Sequence, residues 1–289
     1  MSETSFIAGL VQLRSGQTVA ANIDETSKLI REAAGKGAHY VQTPEMTSLL
    51  VRDRERLMNL VTDEEHDAAL IAFRALAKEL GIYLHIGSLA VRFADERERV
   101  ANRGFLIQPD GDIAARYDKI HMFDVDLDKG ESWRESRTYQ PGEVAITTDL
   151  PWGRLGMTIC YDLRFSALYR ALAEGGASFL AVPAAFTQQT GEAHWHVLLR
   201  ARAIETGSFV FAAAQAGKHE DGRETFGHSL IVDPWGKVLA EAGTETGVVT
   251  ARIEPHLSAE ARKRIPVLQN GRRFAIAASE PVHLHEVGK

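Results

Sequence analysis

The strongest constraint on what this chain can fold into is that it runs through one order of elements twice. Residues 6–11, Phe-Ile-Ala-Gly-Leu-Val, form a short apolar run of strand length. A stretch over about 19–36 follows, in which Ile23, Leu29, Ile30, Ala33 and Ala34 recur at helical spacing until Gly35 and Gly37 stop it. A second strand over 39–42 leads through Thr43-Pro44 to Glu45; a helix is expected over about 63–80, ended by Gly81, and a strand over 82–88. Two further strands, 104–108 and 113–116, flank the hairpin turn Pro109-Asp110-Gly111. The second half repeats this order: strand 155–159, helix 165–174, strand 179–182, helix 192–205, strand 208–214, then a hairpin of 229–232 and 237–240 turning at Asp233-Pro234-Trp235-Gly236. Two such halves predict an α/β layered-sheet protein and not a barrel of parallel strands. No Pro-, Gly- or Ser-rich linker separates them, so a single domain over 1–289 is expected, with residues 257–289 as a basic C-terminal arm suited either to reach over a neighbouring subunit or to pack loosely.

Composition narrows the function classes. The 289 residues are 45% hydrophobic and 25% charged, an ordinary globular balance. A formal net charge of −6 argues against affinity for nucleic acid or an anionic membrane, both of which need a basic surface. Met1-Ser2-Glu3-Thr4 places no basic stretch ahead of an apolar run, and no segment is apolar enough to span a bilayer, so the reading is a cytoplasmic protein acting on a small molecule. The one cysteine, Cys160, cannot form an internal disulfide, and a four-cysteine zinc site is excluded. His194-Trp195-His196 does not read as a metal site, because alternate residues on a helix point apart, and His283 with His285 could meet a metal only in an extended tail. No metal and no cofactor is expected.

Cys160 falls where the apolar Met157-Thr158-Ile159 gives way to Tyr161-Asp162-Leu163-Arg164. A helix N-terminus there would favour the thiolate. The alternative is a small buried hydrophobe. Glu45 also ends a strand, and in parallel sheets ligands gather outside the strands' carboxyl ends, which would put Glu45 and Cys160 on one rim. Glu45 reads equally as an acid in a helix's first turn. Lys119, in Tyr117-Asp118-Lys119-Ile120-His121, is placed to stabilise an oxyanion or is simply solvated; Glu135, in Trp133-Arg134-Glu135-Ser136, would pass as a surface loop residue.

Taken together and in order, the motifs Pro44-Glu45-Met46, Tyr117-Asp118-Lys119-Ile120-His121 and Gly156-Met157-Thr158-Ile159-Cys160-Tyr161-Asp162-Leu163-Arg164-Phe165 resemble the nitrilase superfamily of carbon–nitrogen hydrolases, from Phe6 to about Phe274. Within it, Cys160 to Phe165 is similar to the Nit amidase branch and unlike the Cys-Trp-Glu pattern of true nitrilases. Thr190-Gly191-Glu192-Ala193-His194-Trp195, Leu199 to Glu205, Phe226-Gly227-His228-Ser229 and Val232 to Gly236 are similar to Nit enzymes that hydrolyse deaminated glutathione, while Phe123-Asp124-Val125-Asp126 is also similar to ω-amidases.

The resemblance implies an αββα sandwich, a homodimer or larger homo-oligomer, and cysteine-dependent hydrolysis of a small carboxylate-bearing amide with release of ammonia. It implies Cys160 as nucleophile, Glu45 as acid and base, Lys119 as oxyanion partner and Glu135 as support. Arg164 would grip a substrate carboxylate or pair with Asp162, and Tyr161, Thr187 and His194 are further substrate-binding candidates. The competing readings are an ω-amidase, an N-carbamoyl amide hydrolase, a non-catalytic binding module on the same scaffold, and a redox-sensing thiol protein, which would lack a resolving cysteine.

Overall fold

The computed structural model describes residues 5–93, 98–127 and 132–274. The first half contains β1 (Phe6–Gln12), α1 (Val19–Gly35), β2 (Tyr40–Gln42), α2 (Arg54–Leu60), α3 (Ala68–Leu80), β3 (Tyr83–Arg92), β4 (Val100–Ile107) and β5 (Ile113–Asp118). A small hairpin, β6 (Asp124–Asp126) and β7 (Ser132–Arg134), leads to β8 (Ile146–Leu150). The second half runs β9 (Gly153–Met157), α4 (Ser166–Glu174), β10 (Ala177–Ala181), α5 (Gln188–Thr206), β11 (Phe209–Ala212), the ribbon β12 (Ala216–Lys218) and β13 (Glu224–Phe226), then β14 (Leu230–Val232), β15 (Val238–Glu241) and β16 (Gly247–Ile253). Helices α6 (His256–Arg264) and α7 (Val267–Asn270) follow.

Two six-stranded sheets result, ordered β16-β1-β2-β3-β4-β5 and β15-β14-β11-β10-β9-β8. Each has three parallel strands, β1-β2-β3 and β9-β10-β11, continued by an antiparallel hairpin and edged by one antiparallel strand, β16 or β8. The inner faces share one apolar core in which Phe6, Leu10 and Tyr40 meet Leu155, Phe179 and Phe211, the last two stacked 5.7 Å apart. On the outer face of the first sheet, Leu29, Ile30 and Ala33 of α1 and Leu70 and Phe73 of α3 close a second core with Val41 and Leu84. Helices α4 and α5 cover the second sheet. The architecture is therefore the αββα sandwich, and among the described residues no helix is long and apolar enough to cross a membrane.

Several boundaries differ from the sequence reading for local reasons. The helix expected over 63–80 begins with a separate turn, Glu64–His66, because Asp63 and Asp67 each cap: the Asp63 carboxylate accepts from His66 N at 3.1 Å and that of Asp67 from Leu70 N at 2.8 Å. Gly81, at φ 64°, then ends α3 in the left-handed conformation. The edge strands β8 and β16 carried no turn signal strong enough to be read. Of the C-terminal arm, 256–270 forms α6 and α7, with Arg262 donating to the carbonyls of Thr206 and Ala177 at 3.0 and 2.5 Å. Residues 275–289, with His283 and His285, lie outside the described residues.

Between the sheets the amide of Gln42 donates to His85 Nδ1 at 3.3 Å, and the Tyr40 hydroxyl stands 3.0 Å from the same nitrogen. Burial pushes the His85 pKa down to about 3. An unfolded chain takes up this proton near pH ~6.5 while the native state does not, so stability is full above that value and falls as pH drops toward the folded pKa. Urea unfolding between about pH 7 and 4 should therefore show a steeper loss for the wild type than for His85→Gln; equal slopes would remove His85 as an acid trigger.

Candidate active site

The sandwich brings the carboxyl ends of β2, β5 and β9 to one rim. Glu45 lies three residues beyond β2, in a loop fastened from several sides. Met46 N donates to Ser88 Oγ at 2.9 Å, and Gln215 Nε2 donates to the carbonyls of Glu45 and Met46 at 3.0 and 3.2 Å. The loop passes so close to β3 that a Cβ on Gly87 would stand 2.2 Å from Thr43 O and 2.4 Å from Pro44 O. Lys119 follows β5, its N–H donating to Asn102 O at 3.0 Å. Glu135 opens a short helical turn after β7 and accepts from Phe123 N at 2.7 Å.

Cys160 follows β9. Its backbone has φ 50°, a left-handed conformation that is uncommon for a side-chain-bearing residue and typically costs about 1–3 kcal/mol. Met46, beside Glu45, has φ 55°. The strain at Cys160 is held by Cys160 N donating to Pro183 O at 2.9 Å and by the fully buried Asp162, whose carboxylate accepts from Ile159 N at 2.9 Å and from the Tyr117 hydroxyl at 2.7 Å. Asp162 also accepts from His121 N at 3.0 Å, tying the turn of the second sheet to the loop that carries Lys119.

Lys119 Nζ, 2% exposed, donates to Glu45 Oε1 and to both carboxylate oxygens of Glu135, each at 2.9 Å. Asn102 Nδ2 bridges the same two carboxylates at 2.9 and 3.2 Å, and Ala185 N donates to the second Glu45 oxygen at 2.9 Å. Burial alone would disfavour every charge here. Against it, the Lys119 charge and the hydrogen bonds of Cys160, Lys119 and Asn102 hold Glu45 below the usual carboxylate range, and the charges of Glu135 and Glu45 hold Lys119 well above the usual lysine range. Cys160 goes the other way: burial and the Glu45 charge push its thiol well up, outweighing Lys119. This corrects the expectation of a thiolate stabilised by a helix N-terminus. Cys160 opens the five-residue turn Cys160–Arg164, α4 starts only at Ser166, and the neighbouring carboxylate favours the protonated thiol.

All four candidates line a cavity of about 480 Å³. Tyr161, Arg164 and Thr187 line it too; His194 does not. On α5, His194 sits about one turn beyond the wall residue Thr190, exposed, and reaches the site only through Arg164, 3.2 Å from its Nδ1. Arg164 has the cavity in front of it and makes no ion pair with Asp162, whose oxygens are taken by Tyr117, His121 and Ile159. Asn102 and Asp162 were invisible as site residues because their roles depend on contacts between distant strands. Asp162 did sit in the nucleophile motif. Elsewhere, His196 Nε2 and His228 Nδ1 both lie 2.8 Å from Glu241 Oε1, three potential metal-ligand atoms within 4.8 Å of one another that are closed by their own hydrogen bonds.

An αββα sandwich with a buried thiol, a carboxylate beside it and a buried ammonium at its strand ends defines a thiol-dependent amidohydrolase. The comparisons agree. The carbon–nitrogen hydrolase family model matches residues 7–263. The chain is 40% identical to a deaminated glutathione amidase of Yersinia enterocolitica over 91% of its own length and 92% of that protein. It is 35% identical to human omega-amidase NIT2 over 96% and 100%. The crystal structure of the C. elegans NitFhit protein superposes with a TM-score of 0.88 at 33% identity, over 94% of this chain and 66% of that longer one. The chain belongs to the carbon–nitrogen hydrolase family.

Because Glu45 depends on the close passage of its loop over β3, Gly87→Ala should force that loop outward. Amidase turnover is expected to fall by about a hundredfold, the usual effect of a misplacement near 1 Å, with the circular dichroism of the fold retained. Steady-state kinetics checks this, and an unchanged rate would show that Glu45 does not need this approach.

Proposed function

We propose that Cys160 is the nucleophile of amide hydrolysis and that Glu45 serves it as base and acid. The observation that carries this reading is the convergence of Glu45, Lys119 and Cys160 on one wall of the cavity. Glu45 takes the thiol proton as sulfur bonds to the amide carbon, and the carbonyl π electrons move onto oxygen. Lys119 and the Tyr161 N–H face that developing charge. As the tetrahedral species collapses, the C–N bond breaks and Glu45 delivers its proton to the departing nitrogen. Glu45 then takes a proton from water, whose oxygen attacks the thioester; sulfur leaves and recovers the proton. Glu135 holds Lys119 and, through Asn102, Glu45.

We infer deaminated glutathione as the preferred substrate, because a 40% identical relative that matches nearly end to end is an amidase of that compound and because the cavity is rich in arginine. In a primary ω-amide the nitrogen leaves as ammonia. In deaminated glutathione the same nitrogen belongs to cysteinylglycine, so the dipeptide is the leaving amine. The omega-amidase relative supports the primary-amide reading as the second choice. We further propose a single-domain, cytoplasmic protein assembled as a homodimer or larger homo-oligomer. Support for assembly comes from exposed apolar side chains on α5, Val197 at 68% and Ile204 at 52%.

The test measures cysteinylglycine release from deaminated glutathione and ammonia release from α-ketoglutaramate, an N-carbamoyl amino acid and a nitrile. The highest kcat/KM is expected for deaminated glutathione, and Cys160→Ala should lose at least about a thousandfold. Full turnover by Cys160→Ala would sink the mechanism, and a higher kcat/KM for α-ketoglutaramate would make this an ω-amidase.

A further inference from the structure

On a chain that carries a net charge of −6, this cavity is positive. Six arginines line it besides Lys119, against three carboxylates, of which Glu45 and Glu135 are already bound to Lys119. The arginines fall into two groups. Arg164 stands on the α5 side, its guanidinium 5.3 Å from the Phe186 ring and 5.9 Å from that of Tyr161. On the other side, Arg52 and Arg223 both lie over Trp133, 4.8 and 4.9 Å from its ring centroid. Trp133 connects to the nucleophile turn through Phe123, whose ring is 6.3 Å from Trp133 and 5.1 Å from Tyr161. The two cationic groups thus flank the residue that follows Cys160.

Their partners differ. Asp221 neutralises Arg223 at 3.0 Å, and Arg54 is held by the carbonyls of Arg137 and Glu98. Arg52, exposed at the cavity mouth, has no carboxylate within ion-pair distance among the described residues; the indole fixes it instead. A guanidinium stacked in this way keeps its hydrogen-bonding fork free and pre-oriented for a carboxylate. A primary amide has nothing beyond its nitrogen to reach such a group, whereas an amide with a carboxylate on its leaving side does.

We propose that Arg52, stacked on Trp133 beside Arg223, forms a subsite for a carboxylate on the leaving-group side of the scissile amide, so that the enzyme selects amides that are anionic at both ends. Arg164 takes the acyl end. The inference rests on the amidase reading above and extends it from the bond broken to the leaving group recognised.

A cycle of one enzyme change and one substrate change tests it: wild type and Arg52→Gln, each with deaminated glutathione and with its C-terminal carboxamide. For wild type, removing the substrate charge should lower kcat/KM by roughly tenfold to a hundredfold, the usual range for a charge-assisted hydrogen bond, mostly through KM. Arg52→Gln should show the same loss with the carboxylate and little further loss with the carboxamide. An equal carboxylate-to-carboxamide ratio in both enzymes overturns the subsite. If wild type cleaves α-ketoglutaramate but not deaminated glutathione, the preferred-substrate reading falls separately. Calorimetric binding of the same two compounds to Cys160→Ala, with and without Arg52→Gln, then still decides the subsite, and equal affinities in all four pairings overturn it.

Discussion

Everything at this site depends on keeping one ammonium dry. Lys119 is 2% exposed, and an unpaired charge at such a position would cost several kcal/mol. Glu45 and Glu135 offset that penalty only because each reaches Nζ at 2.9 Å, and Asn102 in turn bridges them. The four side chains come from β4 and from the segments after β2, β5 and β7, so the ion cluster is satisfied only when those elements are in register. Removing Lys119 would leave two buried carboxylates facing each other uncompensated, which couples the integrity of the site to that of the fold.

The sandwich supplies the opposing half. Strands β2 and β9 belong to different sheets yet end on the same rim, and Asp162 fastens the second sheet's turn at Cys160 to Tyr117 and His121 of the first. The positive φ of Cys160 aims its sulfur out of the strand direction toward Glu45. Burial and the nearby Glu45 charge favour the protonated thiol at rest. In the proposed mechanism, reactivity arises when substrate brings a carbonyl to the cluster and Lys119 stabilises the charge that moves onto its oxygen.

Much of this was legible in the residues. Alternating strands and helices in two matching halves, with turns at Pro109-Asp110-Gly111 and Asp233-Pro234-Trp235-Gly236, carry the architecture because glycines at φ 90° and 84° are required there. Glu45 and Cys160 were readable as strand-end residues and Lys119 as the centre of a motif, whereas Glu135 by its own surroundings passed for a surface loop residue. The edge strands β8 and β16 were not, since their pairing with β9 and β1 is set by distant partners and not by local pattern. For the same reason nothing in the order of residues shows that Arg52, Trp133 and Arg223, from three separate segments, meet at one cavity mouth. The direction of the Cys160 shift was misread because burial and Glu45 outweigh a helix end that starts six residues too late.

The central claim is that Glu45 acts on a neutral thiol and not beside a preformed thiolate. Titrating the far-ultraviolet thiolate absorbance of wild type, with Cys160→Ala as the blank, tests it directly. The thiol should ionise above the ordinary cysteine value of about 8.5, and in Glu45→Gln it should ionise at lower pH than in wild type because the neighbouring negative charge is gone. Thiolate already present in wild type at neutral pH, or no downward shift in Glu45→Gln, would contradict the account.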